Sequence, residues 1–262
     1  MTRLRPKLRL RASAGLLVTF TAVVVSLTYA HAQGTPVRVL SSNGFRAAID
    51  DLGPKCERTI GHPLTMQFGT SASLRQRMDA GDAFDVAIVT AEAMDDLAKA
   101  GKVAASTRTV LGRSGIGVGV RAGATKPDIK TAEALKTTLL AVRSITYAGD
   151  GASRPHIEKM VGVLGLTDVM TKKTRLEQGS VAAAAKVAGG DAELLITLIS
   201  EILPAPGVDL VGPLPAEFQH YVSFAAASGA KAANPDAGKA LIACLSAPGV
   251  ASTLNAKGID KP

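Results

Sequence analysis

Four short loops of small and hydroxyl residues stand at the predicted starts of helices, and these residues have the types and spacing to bind an anion. The loops are Ser42-Asn43-Gly44, Thr70-Ser71, Ser153-Arg154 and the turn around Gly179. The first amides of a helix have no intrahelical partner and face outward with the positive end of the helix dipole. Small side chains leave room for an anion to reach those amides. One such loop is an ordinary helix cap, but four together predict a receptor for an anion or a small polar ligand.

The loop at Thr70 shows the pattern in most detail. Residues 64–68 predict a strand, Gly69 allows a sharp turn, and Thr70, Ser71 or Ser73 can cap the following helix. In the third loop, Ser153 is the predicted N-cap of a helix that has a proline in its first turn. Next to it, Arg154 either forms a bidentate pair with a carboxylate or points to solvent.

Alternating strands and helices must position these loops. In the first part of the chain, strands are predicted at 37–40, 64–68 and 84–89, and helices at 45–59, 72–80 and 92–100. Pro54 predicts a break or kink near Gly53 in the first of these helices. The alternation indicates a parallel sheet covered on both faces, where ligands lie beyond the carboxyl ends of the strands.

A second α/β unit follows a long glycine-rich segment at 109–120, which predicts a crossover strand rather than a nucleotide-binding loop because no helix opens there. Strands are then predicted at 145–148 and 194–199, helices at 155–164 and 181–188, and a short helix or loop at 169–175. Residues 212–215 predict a second passage between the units. We therefore expect an α/β protein of two lobes, each a mostly parallel sheet flanked by helices: 33–113 with 216–262, and 114–215.

The first 32 residues predict a cleaved signal peptide. Five basic residues precede an apolar run at 16–27, and Ala30-His31-Ala32 fits a cleavage site before Gln33. The run is short for a membrane span and is interrupted by Ser and Thr. Export to the periplasm is expected.

Charge and cysteine content limit the remaining functions. The whole chain has a net charge of +8, and loss of the five leader basic residues leaves 25 against 22 acidic residues, or +3. With aromatics at 3% and no basic run, nucleic-acid binding is not expected. After export, Cys56 and Cys244 either form a disulfide or stay as two buried thiols.

The residues favour binding over catalysis. His62, His156 and His220 show no metal spacing, and no Ser/His/Asp arrangement has a distinctive signature. The Asp and Glu residues fall mostly on predicted helix faces, where solvated charge is the usual explanation. We therefore predict that the protein is not an enzyme and needs no metal or cofactor.

Several segments resemble the periplasmic molybdate-binding protein family and the broader branch of similar substrate-binding proteins. They are FGTSASL at 68–74, AGDAFDV at 80–86, GAS at 151–153, ISEILPAPGV at 199–208 and VGPLP at 211–215. The resemblance implies a two-lobed binding protein, acting as a monomer, that closes by a hinge on a molybdate-like oxyanion or a small organic acid. It also implies an ABC transporter permease in the inner membrane as partner. The alternatives are a ligand-sensing domain for a membrane signalling partner and, less favoured, an exported enzyme that uses the same cleft.

The resemblance also implies roles for individual residues. Ser71 matches a serine that binds the oxyanion through its hydroxyl and amide, and Ser153 and Gly179 match positions that use backbone amides. Gly44 falls where the family has a second serine, beside Ser42 and Asn43. Leu198 falls where molybdate binders have a tyrosine hydroxyl. Because a lost hydrogen bond to a charged group costs roughly 1.5–3 kcal/mol, these two departures count against molybdate.

Overall fold

The computed structural model describes residues 1–2 and 34–261, so the predicted signal peptide and its cleavage site lie outside the described residues. Strands and helices alternate along most of the described chain. The strands are β1 (Val37–Ser42), β2 (Leu64–Gly69), β3 (Val86–Thr90), β4 (Thr109–Arg121), β5 (Ile145–Ala148), β6 (Thr174–Glu177), β7 (Leu194–Leu198), β8 (Val208–Pro213) and β9 (Tyr221–Ser228). The helices are α1 (Asn43–Ile60), α2 (Ser71–Asp79), α3 (Ala91–Lys99), α4 (Ala132–Ala141), α5 (Arg154–Val163), α6 (Thr167–Lys173), α7 (Gly179–Gly189), α8 (Ile199–Ile202), α9 (Pro235–Ser246) and α10 (Ala251–Ala256).

All nine of these strands belong to one pleated sheet in the order β2-β1-β3-β9-β4-β7-β5-β6, with β8 also paired to β4. The first half of the sheet consists of β2, β1, β3, β9 and the beginning of β4, and β1 is parallel to both β2 and β3. The second half consists of the end of β4 with β5 to β8, and β5 is parallel to both β6 and β7. The α/β architecture, a central sheet flanked by helices, is thus confirmed. The sheet is mixed rather than mostly parallel, because β9 is antiparallel to β3, and β4 is antiparallel to β7, β8 and β9.

The strand β4 is shared by both halves of the sheet. Its residues 109–115 pair with β9, whereas residues 116–121 pair with β7 and β8. The return connection, residues 214–220 between β8 and β9, contains a turn and no strand. A single long strand and one short loop therefore carry the chain between the two halves.

Helix α1 does not have the predicted break, because it continues through Pro54 to Ile60. A proline inside a helix lacks an N–H group and crowds the carbonyl four residues earlier, so another interaction must hold this helix together. The inner face of α1 is buried through Phe45, Ile49, Leu52 and Cys56. A disulfide then joins Cys56 to Cys244 of α9, which resolves the two alternatives for the cysteines. Tertiary packing outweighs local propensity here.

Two further elements differ from the sequence-based expectation. Residues 169–175 are not one short helix or loop: α6 ends at Lys173 and β6 begins at Thr174. Strand β7 ends at Leu198, and Ile199 begins the single-turn helix α8.

Within the residues that the structure describes, no single helix is long and apolar enough to cross a membrane. The bent pair Pro235–Ser246 and Pro248–Ala256 meets the criterion only by length and composition.

Candidate functional site

The first loop is tighter than expected, because α1 begins directly where β1 ends. Ser42 lies in β1 and is the N-cap residue of α1, and its Oγ accepts a hydrogen bond of 3.3 Å from the amide of Gly44. Asn43 is the first residue of the helix. The predicted separate loop at 41–44 is therefore absent. Helix α1 begins at the carboxyl end of strand β1, where ligands bind in this class of fold.

The second loop brings Thr70 and Ser71 against neighbouring elements. Of the three predicted caps it is Thr70 that caps α2, accepting from the amide of Ser73 at 3.1 Å. The hydroxyl of Ser71 accepts from the amide of Thr90 at 3.0 Å, so its proton stays directed away from that amide. Ser71 is thus held by the end of β3 while it keeps a hydrogen-bond donor.

Asp150 joins the two halves of the sheet and was not among the predicted site residues. Its Oδ2 accepts from the hydroxyl of Thr70 at 2.7 Å, and its Oδ1 accepts from the amide of Gly179 at 3.2 Å. Gly179 has a φ of +82°, which a side chain rarely adopts, and the amide nitrogen of the Asn43 side chain lies 3.9 Å from the place a Cβ would take there. Two of the four predicted loops therefore meet at Asp150, and Asn43 of the first loop lies close to the Gly179 turn.

The fourth loop, at Ser153 and Arg154, differs in detail. Ser153 occupies the N-cap position of α5 but its side chain makes no capping hydrogen bond, because the residue has a helical rather than an extended backbone. The guanidinium of Arg154 pairs with Glu158 at 2.8 Å and donates to the carbonyl of Gly149 at 2.7 Å. Arg154 is thus partnered within its own loop and helix.

A cavity of about 360 Å³, here called the Ser71 cavity, lies between the two halves of the sheet. Its lining includes Ser71, Thr90, Asp150 and His156. The ring of His156 stacks on His220 with 3.4 Å between ring centroids. Burial lowers the pKa of His156, and the neighbouring His220 lowers it further.

A second cavity, of about 510 Å³ and here called the Glu201 cavity, lies between α1 and α7. Asn43 and Arg46 of α1 line one side, and Ser180 of α7 and Glu201 of α8 line the other. Alanine residues, Val181 and prolines form most of the remaining wall: Ala47, Ala184, Ala185, Ala188, Pro204, Ala205 and Pro206. The cavity thus combines a hydrocarbon surface with one cationic side chain, Arg46, and two carboxyl side chains, Asp50 and Glu201.

Glu201 is held by hydroxyl donors on both of its oxygens. Ser180 Oγ donates to Oε1 at 2.8 Å, and Thr197 Oγ1 donates to Oε2. Burial raises the pKa of Glu201, although these hydroxyls and the amide of Leu198 act in the opposite direction, and the charge of Asp150 adds to the increase. A carboxyl group whose pKa is raised in this way is suited to exchange a proton with a bound ligand.

Sequence reasoning missed Arg46, Ser180 and Glu201 as members of one cavity. Glu201 was given no role in a site, whereas its carboxyl group is hydrogen-bonded inside the fold. The sequence feature that could have indicated this role is the position of Glu201, three residues after the end of the entirely buried strand β7. Among the residues the structure describes, there is no group of three or more His, Cys, Asp and Glu side chains that could hold a metal ion.

The two departures at Gly44 and Leu198 have a common structural cause. A Cβ on Gly44 would lie 2.4 Å from Cζ of Phe224 and 3.1 Å from Cδ1 of Leu198. A side chain at position 44 would therefore displace a buried phenylalanine ring. Serine and tyrosine hydroxyls at these two positions are replaced by close apolar packing.

Comparison with known proteins places the chain in a family. Residues 37–260 match the bacterial extracellular solute-binding proteins. The chain belongs to this family. The periplasmic molybdate-binding protein of Azotobacter vinelandii has the same fold, with a TM-score of 0.74 at 17% identity over 86% of this chain and 99% of that one. The substrate-binding domain of a molybdenum ABC transporter from Clostridium difficile gives a TM-score of 0.66 at 16% identity over 87% and 100% of the two chains.

One relative that matches almost the whole chain is named as an enzyme rather than as a binding protein. Aconitate isomerase from a Pseudomonas species is 29% identical over 260 residues, which is 97% of each chain. The prediction that the protein is not an enzyme is therefore wrong on this comparison, because the relative's name points to an enzyme. The prediction of a solute-binding protein is confirmed at the level of family and fold.

Proposed function

We propose that the protein binds a small unsaturated polycarboxylate of the aconitate type and isomerises it in the Glu201 cavity. The observation that carries this proposal is the presence of a guanidinium and a buried carboxyl group of raised pKa in one cavity between the halves of the sheet. The full-length relationship to aconitate isomerase supports the choice of substrate.

Arg46 and the start of α1 would bind the substrate carboxylates. The Arg46 guanidinium lies 4.6 Å above the ring of Phe68 and pairs only loosely, at 3.6 Å, with the exposed carboxylate of Asp50. It therefore keeps N–H groups for a bidentate contact with a substrate carboxylate. The side-chain amide of Asn43 adds a neutral donor on the same wall.

Glu201 would transfer the proton. In aconitate a methylene group is attached to the carbon–carbon double bond. A base that removes a proton from this methylene and returns it to the far carbon of the allylic anion moves the double bond and allows a change of geometry. The proton leaves and re-enters through one carboxyl group, so no oxidant or other co-reactant is consumed.

The packing at Gly44 also favours an organic ligand over a bare tetrahedral oxyanion. Such an ion, held without a charged partner, needs many preorganised donors, and Gly44 and Leu198 supply no side-chain donor. Asn43 is the predicted contact residue that lines the Glu201 cavity. The predicted contacts for the anion of a transport receptor, outside the lining of that cavity, stay Ser42, Gly44, Thr70, Ser71, Ser153, Arg154 and Gly179. In the present structure Asp150 already accepts from Thr70 and Gly179.

A second candidate function is delivery of the bound anion to an ABC importer, and membership of the extracellular solute-binding family favours it. The periplasmic location, the permease partner, closure by a hinge and the lobe boundaries at 113/114 and 215/216 belong to this proposal. Both candidates bind an anion between the halves of the sheet, and they differ in whether that anion leaves chemically changed.

The deciding experiment follows cis- and trans-aconitate by proton NMR in the presence of the mature protein. We expect interconversion, and we expect Glu201→Gln to slow it by about a hundredfold or more, as for loss of a general acid–base group. Glu133→Gln, at an exposed position of α4, is the matched control and should change nothing. No interconversion would refute the isomerase, and a thermal shift with aconitate would then support the transport receptor.

A further inference from the structure

Thr197 is a polar residue in a strand that is otherwise apolar and entirely buried. It lies in β7, whose other members are Leu194, Leu195, Ile196 and Leu198, and it is 1% exposed. A buried hydroxyl costs free energy unless it is hydrogen-bonded, so valine would be the expected residue at such a place. The partner of this hydroxyl is Oε2 of Glu201.

The two hydroxyl groups on Glu201 differ in their access to the cavity. Ser180 lines the Glu201 cavity and donates to Oε1. Thr197 is buried in the sheet, where its backbone pairs with Gly117 of β4, and it donates to the other oxygen. Ser180 is therefore able to contact a ligand, whereas Thr197 acts only through Glu201.

We infer that Thr197 is a positioning residue: its hydroxyl fixes the orientation of the Glu201 carboxyl group and sets the pH range in which that group is free of its proton. This inference rests on the proposed function of Glu201 as the proton carrier. A donor fixed on one carboxylate oxygen stabilises the charged form, because the ionised group accepts hydrogen bonds more strongly than the protonated one. Burial acts in the opposite direction, so Thr197 limits how far the pKa of Glu201 is raised.

Removal of the hydroxyl should therefore raise the pKa of Glu201 further. Thr197→Val keeps the shape and apolar packing of the side chain but deletes the donor. We expect the pKa of Glu201 to rise by about one unit or more, since a hydrogen bond to a charged group exceeds the free energy of one pKa unit. At a pH where Glu201 is mostly protonated, a pKa that is one unit higher should slow isomerisation about tenfold, with little change in KM.

The test uses the mature protein with ¹³C-labelled glutamate carboxyl groups, and the Glu201 signal is assigned by its loss in Glu201→Gln. The pKa of Glu201 from NMR titration and the pH dependence of kcat are measured for the wild type, Thr197→Val and Thr197→Ser. Thr197→Ser retains the hydroxyl and should restore both values. Thr146→Val is the matched control, because Thr146 is also a buried strand threonine but donates to the carbonyl of Arg175 on a neighbouring strand.

The result that supports the inference is a parallel rise of the Glu201 pKa and of the acidic limb of the kcat profile in Thr197→Val alone. An unchanged pKa in Thr197→Val, or an equal change in Thr146→Val, overturns it. If the wild type does not isomerise aconitate, the proposed function fails, whereas the NMR titration still decides whether Thr197 sets the pKa of Glu201.

Discussion

Reduction of the Cys56–Cys244 disulfide should cause a large loss of stability. The bond connects α1, which carries Asn43 and Arg46 at the Glu201 cavity, to α9 near the end of the chain. The two cysteines are 188 residues apart, so the bond closes most of the described chain into one loop. The unfolded state is therefore strongly restricted as long as the bond is intact.

The magnitude follows from the length of that loop. In the chain-entropy description, a cross-link over 188 residues lowers the entropy of the unfolded chain by an amount that stabilises the folded protein by about 5 kcal/mol at 25 °C. Typical domains have a free energy of unfolding of about 5–15 kcal/mol, so the cross-link would supply a large share of it. We expect the reduced protein to unfold at a much lower urea concentration.

Urea unfolding, followed by circular dichroism, measures the free energy of unfolding of the oxidised and the reduced protein. The reduced sample is reduced in denaturant and then refolded in the presence of a phosphine reductant. Thiol titration of the two unfolded samples should find no free thiol in the first and two in the second. The Cys56→Ala, Cys244→Ala double variant should be insensitive to the reductant. A difference below about 1 kcal/mol between oxidised and reduced protein would refute the loop-entropy reasoning.

Two further predictions concern the Ser71 cavity. Because burial and His220 hold the pKa of His156 below its ordinary 6.5, the folded protein binds this proton less tightly than the unfolded chain, and stability should fall as the pH drops below about 6.5. His156→Phe should reduce this fall in urea unfolding between about pH 7 and pH 5, and an unchanged slope would contradict it. Ser71→Ala should weaken ligand binding roughly tenfold to a hundredfold by calorimetry, and equal affinity would remove Ser71 from the site.

Patterns that depend on neighbours in sequence were predicted well. The Thr70 cap follows from a hydroxyl residue between a strand-ending glycine and an amphipathic helix, and the structure has this cap. The long strand β4 follows from the alternation of glycine and apolar residues over 109–120. These features need only local periodicity and capping chemistry, which the sequence contains directly.

Features that depend on distant partners were not predicted. Pro54 remains inside α1 because one face of the helix is buried and Cys56 is bonded to a residue far along the chain. Ser153 was a reasonable cap by type, but its helical backbone directs the hydroxyl away from the amides it would have to reach. Local propensity cannot contain such information, since each outcome is decided by residues from another part of the fold.

In the proposed function, Glu201 is the residue that adds chemistry to the solute-binding fold. The helix starts of this fold suit any small anion, so they serve transport and catalysis equally well. A change of the ligand needs one group that exchanges a proton, and the Glu201 cavity contains a carboxyl group whose pKa is raised by burial. Its two hydroxyl donors come from α7 and β7, on either side of the carboxyl group. On the proposed function, one carboxyl group held inside the fold beside the bound anion is what turns a solute-binding fold into an isomerase, and the architecture stays the same.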